Sequence, residues 1–218
     1  MKERANSPTI VAVGGFSSEV GKTTLMAELL RAFPGWEAIK LTRGHYRSCG
    51  KDPQACCVSH LLSDEPVIRS GRAETYAAGK DTGRYWDAGA SNVHWVIVTD
   101  AQVERGIKSA LGRVRAPGVF VEGNSFLKFV DVDFSIMVAR AGSDQMKPTA
   151  RRALIKSDAL YLFDLSEDSG DSLREEFTDA WHGKLAGREL TGDLPLYTRR
   201  ELPQLIAHLQ SIHITLAA

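Results

Sequence analysis

The residues with the plainest chemical meaning are Lys22 and Thr23. They close the run Thr9-Ile10-Val11-Ala12-Val13-Gly14-Gly15-Phe16-Ser17-Ser18-Glu19-Val20-Gly21-Lys22-Thr23-Thr24. A lysine and a hydroxyl residue after a glycine loop suit a phosphate cradle. Loop amides and a helix N-terminus hold phosphate oxygens. The Lys22 ammonium would meet the β- and γ-phosphates, and the Thr23 hydroxyl would ligate Mg²⁺. The expected ligand is therefore ATP or GTP with Mg²⁺, bound by Gly15, Ser17, Ser18, Glu19, Val20, Gly21, Lys22, Thr23 and Thr24. The usual motif has four residues between its glycines. Here Phe16 stands where the first glycine belongs, so the usable pair is Gly15 and Gly21, one residue further apart. A chance glycine turn before a helix competes with this reading. Strand, loop and helix in the required order argue against chance.

A second anchor is Glu122, which closes the apolar run Val119-Phe120-Val121 and precedes Gly123. A carboxylate at a strand's C-terminal end, beside a phosphate loop, holds Mg²⁺ directly or through water. An exposed strand-end acid is the bland alternative, and Asp100 ends the preceding strand in a similar way. Lys40 ends a third apolar run, at the end where open α/β sheets place ligands.

The third feature is His45-Tyr46-Arg47-Ser48-Cys49-Gly50-Lys51-Asp52-Pro53-Gln54-Ala55-Cys56-Cys57-Val58-Ser59-His60, which holds all three cysteines of the chain. In a reducing compartment these thiols would not form structural disulfides. Cys49, Cys56 and Cys57, with His45 or His60, suit Zn²⁺ or an iron–sulfur cluster. Three closely spaced thiolates can be completed across a two-fold axis, which would make the chain a homodimer. The spacing matches no standard finger. Buried or incidental thiols, and a nucleophilic cysteine, remain open readings.

The elements that must position these groups can be read from periodicity. Residues 10–13 are an apolar, mostly β-branched run suited to a strand buried on both faces. From Lys22 the spacing of Leu25, Leu29, Leu30 and Phe33 is helical. Further strands are expected at 36–41, 93–99, 119–122, 132–139, 159–164 and 196–198. Helices are expected at about 101–114, 148–157, 172–185 and 201–211, with an apolar helical piece at 58–62. Lys156-x-Asp158 reads as a helix C-terminus rather than a guanine-reading motif. The alternation predicts a three-layer α/β fold, a mainly parallel sheet with helices on both faces.

The chain has 218 residues, 43% hydrophobic and 25% charged, with zero formal net charge. That length suits a single domain, 1–218, with a Cys/His-rich insertion at about 43–62. Zero net charge gives no global footprint for nucleic acid. No apolar run approaches the roughly 20 residues that span a bilayer, and the first seven residues lack a signal-peptide core. A cytoplasmic protein without membrane or nucleic-acid partners is expected.

Four features resemble a known family. The loop, the Lys40 strand, Asp81-Thr82-Gly83-Arg84-Tyr85-Trp86-Asp87-Ala88-Gly89-Ala90 and Val121-Glu122-Gly123 occur in the order found in molybdopterin-guanine dinucleotide biosynthesis protein B. The loop spacing, with a lysine after the second strand and Val-Glu-Gly, is similar to dethiobiotin synthetase. Both families are phosphate-loop NTPases, so the resemblance implies that fold and Mg²⁺-dependent nucleotide hydrolysis in cofactor or metallocentre biosynthesis, beside a protein partner. It also implies that Asp81, Thr82 and Arg84 lie near the phosphates, with Arg84 neutralising γ-phosphate charge. A helix N-terminus capped by Asp81 or Thr82 is equally compatible. The departures concern the second substrate. Leu41-Thr42-Arg43-Gly44-His45 and Asn124-Ser125-Phe126 match neither family's pattern, so neither substrate transfers. The expected catalytic residues are Lys22, Lys40, Glu122 and Arg84. An ATP-dependent ligase or kinase, and a nucleotide-switched metal-handling adaptor, are the alternatives.

Overall fold

The computed structural model describes residues 7–45, 58–140, 142–164, 170–181 and 194–217. The chain opens with β1 (Thr9–Gly15), α1 (Lys22–Ala32) and β2 (Glu37–Arg43). A short edge strand β3 (Val67–Ser70) leads into α2 (Arg72–Thr75) and α3 (Asp81–Asp87). Then come β4 (Val93–Val98), α4 (Val103–Leu111), β5 (Gly118–Glu122) and β6 (Phe134–Arg140). The last part holds α5 (Pro148–Leu154), β7 (Ala159–Phe163), α6 (Gly170–Trp181), β8 (Leu196–Tyr197) and α7 (Leu202–Ala217).

The strands form one sheet in the order β3-β4-β2-β5-β1-β6-β7-β8. All pairs are parallel except β3 with β4. Strand residues alternate between two cores. Val11, Val13, Ala38, Phe120 and Tyr161 face α1, α3 and α7. Ala12, Ile39, Val121, Met137 and Leu162 face α4, α5 and α6. This two-sided burial is why the strands read as near-continuous apolar runs. It produces the three-layer α/β architecture expected from the alternation.

The structure adds one strand. β3 lies within the stretch 42–92, for which no strand was expected. It is four residues long and half-exposed, an antiparallel edge on β4. Such a strand needs no apolar run, so it leaves little trace in the sequence. Residues 58–62 form only one 3₁₀ turn, Ser59–Leu61. The expected helix at 101–114 begins as a 3₁₀ turn, Asp100–Gln102, closed by a reciprocal Thr99–Gln102 capping box. Among the described residues, no helix is long and apolar enough to cross a membrane.

Candidate functional site

The site grows from the register at the C-terminal ends of three strands. Glu122 pairs with Val13 on β1 and with Lys40 on β2. Lys40 alternates with Ile39 and Leu41, which face the α4 side, so it points toward α1 and α3. Glu122, next to Val121, points the same way. One row across the sheet therefore brings a lysine and a carboxylate to the start of the glycine loop.

The loop is held from several sides. Phe16 is buried and packs against Phe177 and Trp181 of α6, at ring distances of 6.0 and 5.2 Å. This explains the phenylalanine where a glycine was expected: it anchors the lengthened loop in one core. Val20 anchors it in the other. Asn124 accepts from Gly15 N and donates to Gly15 O, both at 2.8 Å. A Cβ on Gly14 would lie 2.4 Å from Met137 Sδ and 2.6 Å from Asn124 Oδ1, so that approach requires glycine. Glu19 and Gly21 have φ of 58° and 91°, which turn the chain into α1. From outside, Lys147 N donates to Phe16 O at 2.8 Å and its Nζ to Ser18 Oγ at 2.7 Å.

At the mouth of the loop the charges converge. Lys40 Nζ lies 2.5 Å from Glu122 Oε1 and 2.7 Å from Asp81 Oδ2. Thr23 Oγ1 donates to Asp81 Oδ1 at 2.9 Å. The buried Tyr85 hydroxyl, one turn further along α3, donates to Glu122 Oε2. Arg84 Nη2 donates to Thr24 Oγ1 at 3.2 Å, and Lys22 Nζ to Ser17 O at 3.0 Å.

These neighbours shift the acid–base balance. Burial works against the Lys40 ammonium, but Glu122 and then Asp81 outweigh it and hold its pKa above the ordinary lysine value. Burial alone would raise Asp81; the Lys40 charge and hydrogen bonds from Lys40 and Thr23 overcome it and hold the carboxyl below the usual range. Burial, the largest influence on Lys22, pulls its pKa down; Glu122 opposes this, while Lys40 and Lys147 reinforce it. Burial followed by the Glu122 charge pushes the Tyr85 phenol well above its usual value, so it remains a donor.

A cavity of about 430 Å³ opens over these groups, lined among others by Ser18, Lys22, Thr23, Lys40, Arg84 and Phe163. A second, of about 680 Å³, shares Lys40 and Asp81 with it and extends past Trp95, Tyr76, Arg69 and His60.

Of the residues singled out from the sequence, Lys22, Thr23, Lys40 and Glu122 come together. Arg84, on α3, reaches Thr24, one position past Thr23 on α1. Asp100 stands apart, exposed and paired with Arg43 at 2.6 Å. Cys49, Cys56 and Cys57 lie outside the described residues. His45 follows β2, and His60 is exposed on the Ser59–Leu61 turn. Among the described residues, no group of three or more His, Cys, Asp or Glu side chains could hold a metal ion.

Sequence reading missed the contact of Asp81 with Thr23, the tyrosine on Glu122, and the roles of Asn124 and Lys147. Asp81 opens α3 as its first helical residue, behind the extended Lys80. Its acidic character there suits the helix dipole, but nothing local points to a threonine 58 positions away. Asn124 carried a signal: it directly follows the Glu-Gly strand end.

The residues present fit a Mg²⁺ ion. Mg²⁺ takes one or two protein oxygens besides phosphates and water. Thr23 and Asp81 offer those oxygens side by side; both carboxylates are bonded within the protein, but the Asp81 side chain is 43% exposed and the Glu122 side chain 3%.

A parallel sheet whose central strand feeds a glycine loop and then a Lys-Thr helix N-terminus is the phosphate-loop NTPase fold. No protein-family description matches the sequence, and no curated protein matches it. Solved structures with some likeness to the chain include two at low identity. One is an "apo" form of LpxK from Aquifex aeolicus in complex with ATP, at 18% identity, TM-score 0.48, covering 88% of this chain and 53% of that one. The other is a Zn(II)-bound triple mutant of the YjiA GTPase, at 14% identity, TM-score 0.44, covering 88% of this chain and 57% of that one. The chain thus spans little more than half the length of either.

Proposed function

We propose that the chain binds ATP or GTP with Mg²⁺ and cleaves or transfers the γ-phosphoryl group, in the service of cofactor or metallocentre assembly. The carrying observation is the convergence of Lys22, Lys40, Thr23, Asp81 and Glu122 at the glycine loop that opens α1. Lys22, already partly desolvated, offers its ammonium to the β- and γ-phosphates. The loop amides and the N-terminus of α1 hold phosphate oxygens. Thr23 and Asp81 would hold Mg²⁺, with Glu122 reaching it through water; the ion neutralises developing phosphate charge. Glu122, fixed by Tyr85, aims Lys40 at the terminal phosphate. Arg84, beside Thr24, faces phosphate charge nearer the nucleoside.

Calorimetric titration of the protein with ATP and GTP in Mg²⁺ tests this reading. Wild type is expected to bind, and Lys22→Ala to lose most of the affinity while keeping its fold, because the Lys22 ammonium bonds a loop carbonyl, that of Ser17, rather than the core. Absence of binding by wild type would sink the proposal.

The 680 Å³ cavity favours a second reading, in which an acceptor takes the phosphoryl group as in a kinase or ligase. It shares Lys40 and Asp81 with the nucleotide cavity and lies in the size range of small-molecule sites. Phosphate release without any acceptor supports hydrolysis; strict dependence on an acceptor supports transfer. In an adaptor variant, nucleotide state would switch the 43–62 segment, its Cys/His metal site or its partner surface.

A further inference from the structure

The nucleotide cavity has two chemically different ends, and the strand order says how far apart they are. Lys40 lies midway along β2, in the row of Glu122, and Phe163 is the last residue of β7. Between them stand β5, β1 and β6. Four strand spacings of about 4.8 Å separate the two by about 19 Å across the sheet. Both line the same 430 Å³ cavity. Both also point to the same side of the sheet: Ala159 and Tyr161, which alternate with Leu160 and Leu162, face the α1 core, and Phe163 continues that alternation and packs against that core.

At the β2–β5 end sit Lys40, Lys22 and the two carboxylates. At the β7 end sits Phe163, the one aromatic residue in the cavity wall among the described residues. Its ring lies against Gly21 so closely that a Cβ there would fall 2.1 Å from a ring carbon. The phenyl group is thus packed against the loop and the core, and it is only partly buried where it lines the cavity. Phosphate charge belongs at the cationic end. The opposite end offers an apolar aromatic ring, packed in place, within the same cavity.

We propose that Phe163 is the stacking platform for the nucleobase, and that the preferred ligands are purine nucleoside triphosphates. This rests on the nucleotide-binding reading above and extends it to the base. Because the ring is already ordered, little conformational entropy is lost on stacking. A π-face reads ring area, so purines bind more tightly than pyrimidines.

The test is equilibrium titration with ATP, GTP, CTP and inorganic tripolyphosphate in Mg²⁺, on wild type, Phe163→Leu and Phe163→Trp. Leucine keeps apolar packing on Gly21 and removes the π-face. Phe163→Leu is expected to weaken ATP and GTP roughly ten-fold, to weaken CTP less, and to leave tripolyphosphate unchanged. Phe163→Trp is expected to retain purine affinity. The proposal is overturned if Phe163→Leu leaves ATP and GTP affinity intact, or weakens tripolyphosphate equally, since that marks a loop effect. Wild type that binds neither nucleotide nor tripolyphosphate overturns the nucleotide reading itself, a distinct result.

Discussion

Lys40 is the residue on which the candidate chemistry turns, because its one ammonium is shared by two acids with different duties. Asp81 touches the Thr23 hydroxyl and is half exposed; Glu122 is almost fully buried and satisfied by Lys40 and Tyr85. The metal requirement should therefore follow Asp81. Asp81→Asn is expected to raise the Mg²⁺ concentration needed for half-maximal turnover by about 10–100-fold. Glu122→Gln should leave that concentration within about two-fold of wild type and lower the maximal rate, because Lys40 loses its buried partner. Mg²⁺ titrations of nucleotide turnover check both, and the opposite pattern would exchange the two roles. The sign of the Asp81 shift adds a pH component. Its folded pKa lies below the unfolded value of about 3.9, so the ionised carboxylate and its stabilising contacts are present above that value. They are lost only as pH falls through the lower, folded value. The Mg²⁺ requirement of wild type should accordingly not change between pH 7 and pH 5 on account of Asp81.

At the scale of elements, the β1–loop–α1 unit was legible because local spacing and tertiary role coincide there. Ile10 to Val13 had to be buried on both faces, and Gly21-Lys22-Thr23 had to open a helix. Glu122 was legible as a strand end, since a strand's C-terminal end in a parallel sheet is a ligand position wherever the strand sits; Lys40 was expected at such an end too, but β2 continues past it to Arg43, and it reaches the site because its row pairs with Glu122. What could not be read were contacts set by α3: Tyr85 and Asp81 reach Glu122 and Thr23 only because α3 packs beside α1, and no periodicity encodes that pairing. β3 was invisible for the complementary reason, being an edge with no apolar run. Two glycines separate loop function from element stability. Gly21 has φ +91° and faces the Phe163 ring, while a Cβ on Gly118 would come within 2.3 Å of the Trp36 ring, at the other end of β5 from Glu122. Both alanine variants should lose about 1–3 kcal/mol of stability from overpacking. Gly21→Ala should also abolish nucleotide binding, whereas Gly118→Ala should bind normally where it is folded. Denaturant unfolding paired with nucleotide titration tests this, and intact binding by Gly21→Ala would mean that the loop's conformation is not what holds the phosphates.

Across the whole molecule, the sheet has a chemical end and a structural end. The charged cluster around Lys40 sits at the C-terminal ends of the parallel strands. At their N-terminal ends lies a second buried polar cluster centred on Glu37, the first residue of β2. Glu37 Oε1 accepts from Arg115 N at 2.9 Å and Ala116 N at 3.0 Å, and its Oε2 lies 2.7 Å from His94 Nε2. His94 Nδ1 lies 2.8 Å from Ser70 Oγ. One carboxylate thus ties β2 to β4 and to the approach to β5, and through His94 to β3. All of these groups are removed from the phosphate loop by the length of the strands. Removing that carboxylate leaves two backbone N–H groups and an imidazole without their acceptor, each costing about 1–3 kcal/mol when buried. Glu37→Ala is therefore expected to lose on the order of 3 kcal/mol or more, seen as a lower denaturant midpoint at an unchanged slope. The folded fraction should still bind nucleotide as wild type does, so saturating ATP or GTP should raise the unfolding free energy of both proteins by the same amount. A smaller nucleotide increment in Glu37→Ala would show that the two ends of the sheet are coupled, and that the cluster at Glu37 takes part in setting the row that brings Lys40 to Glu122.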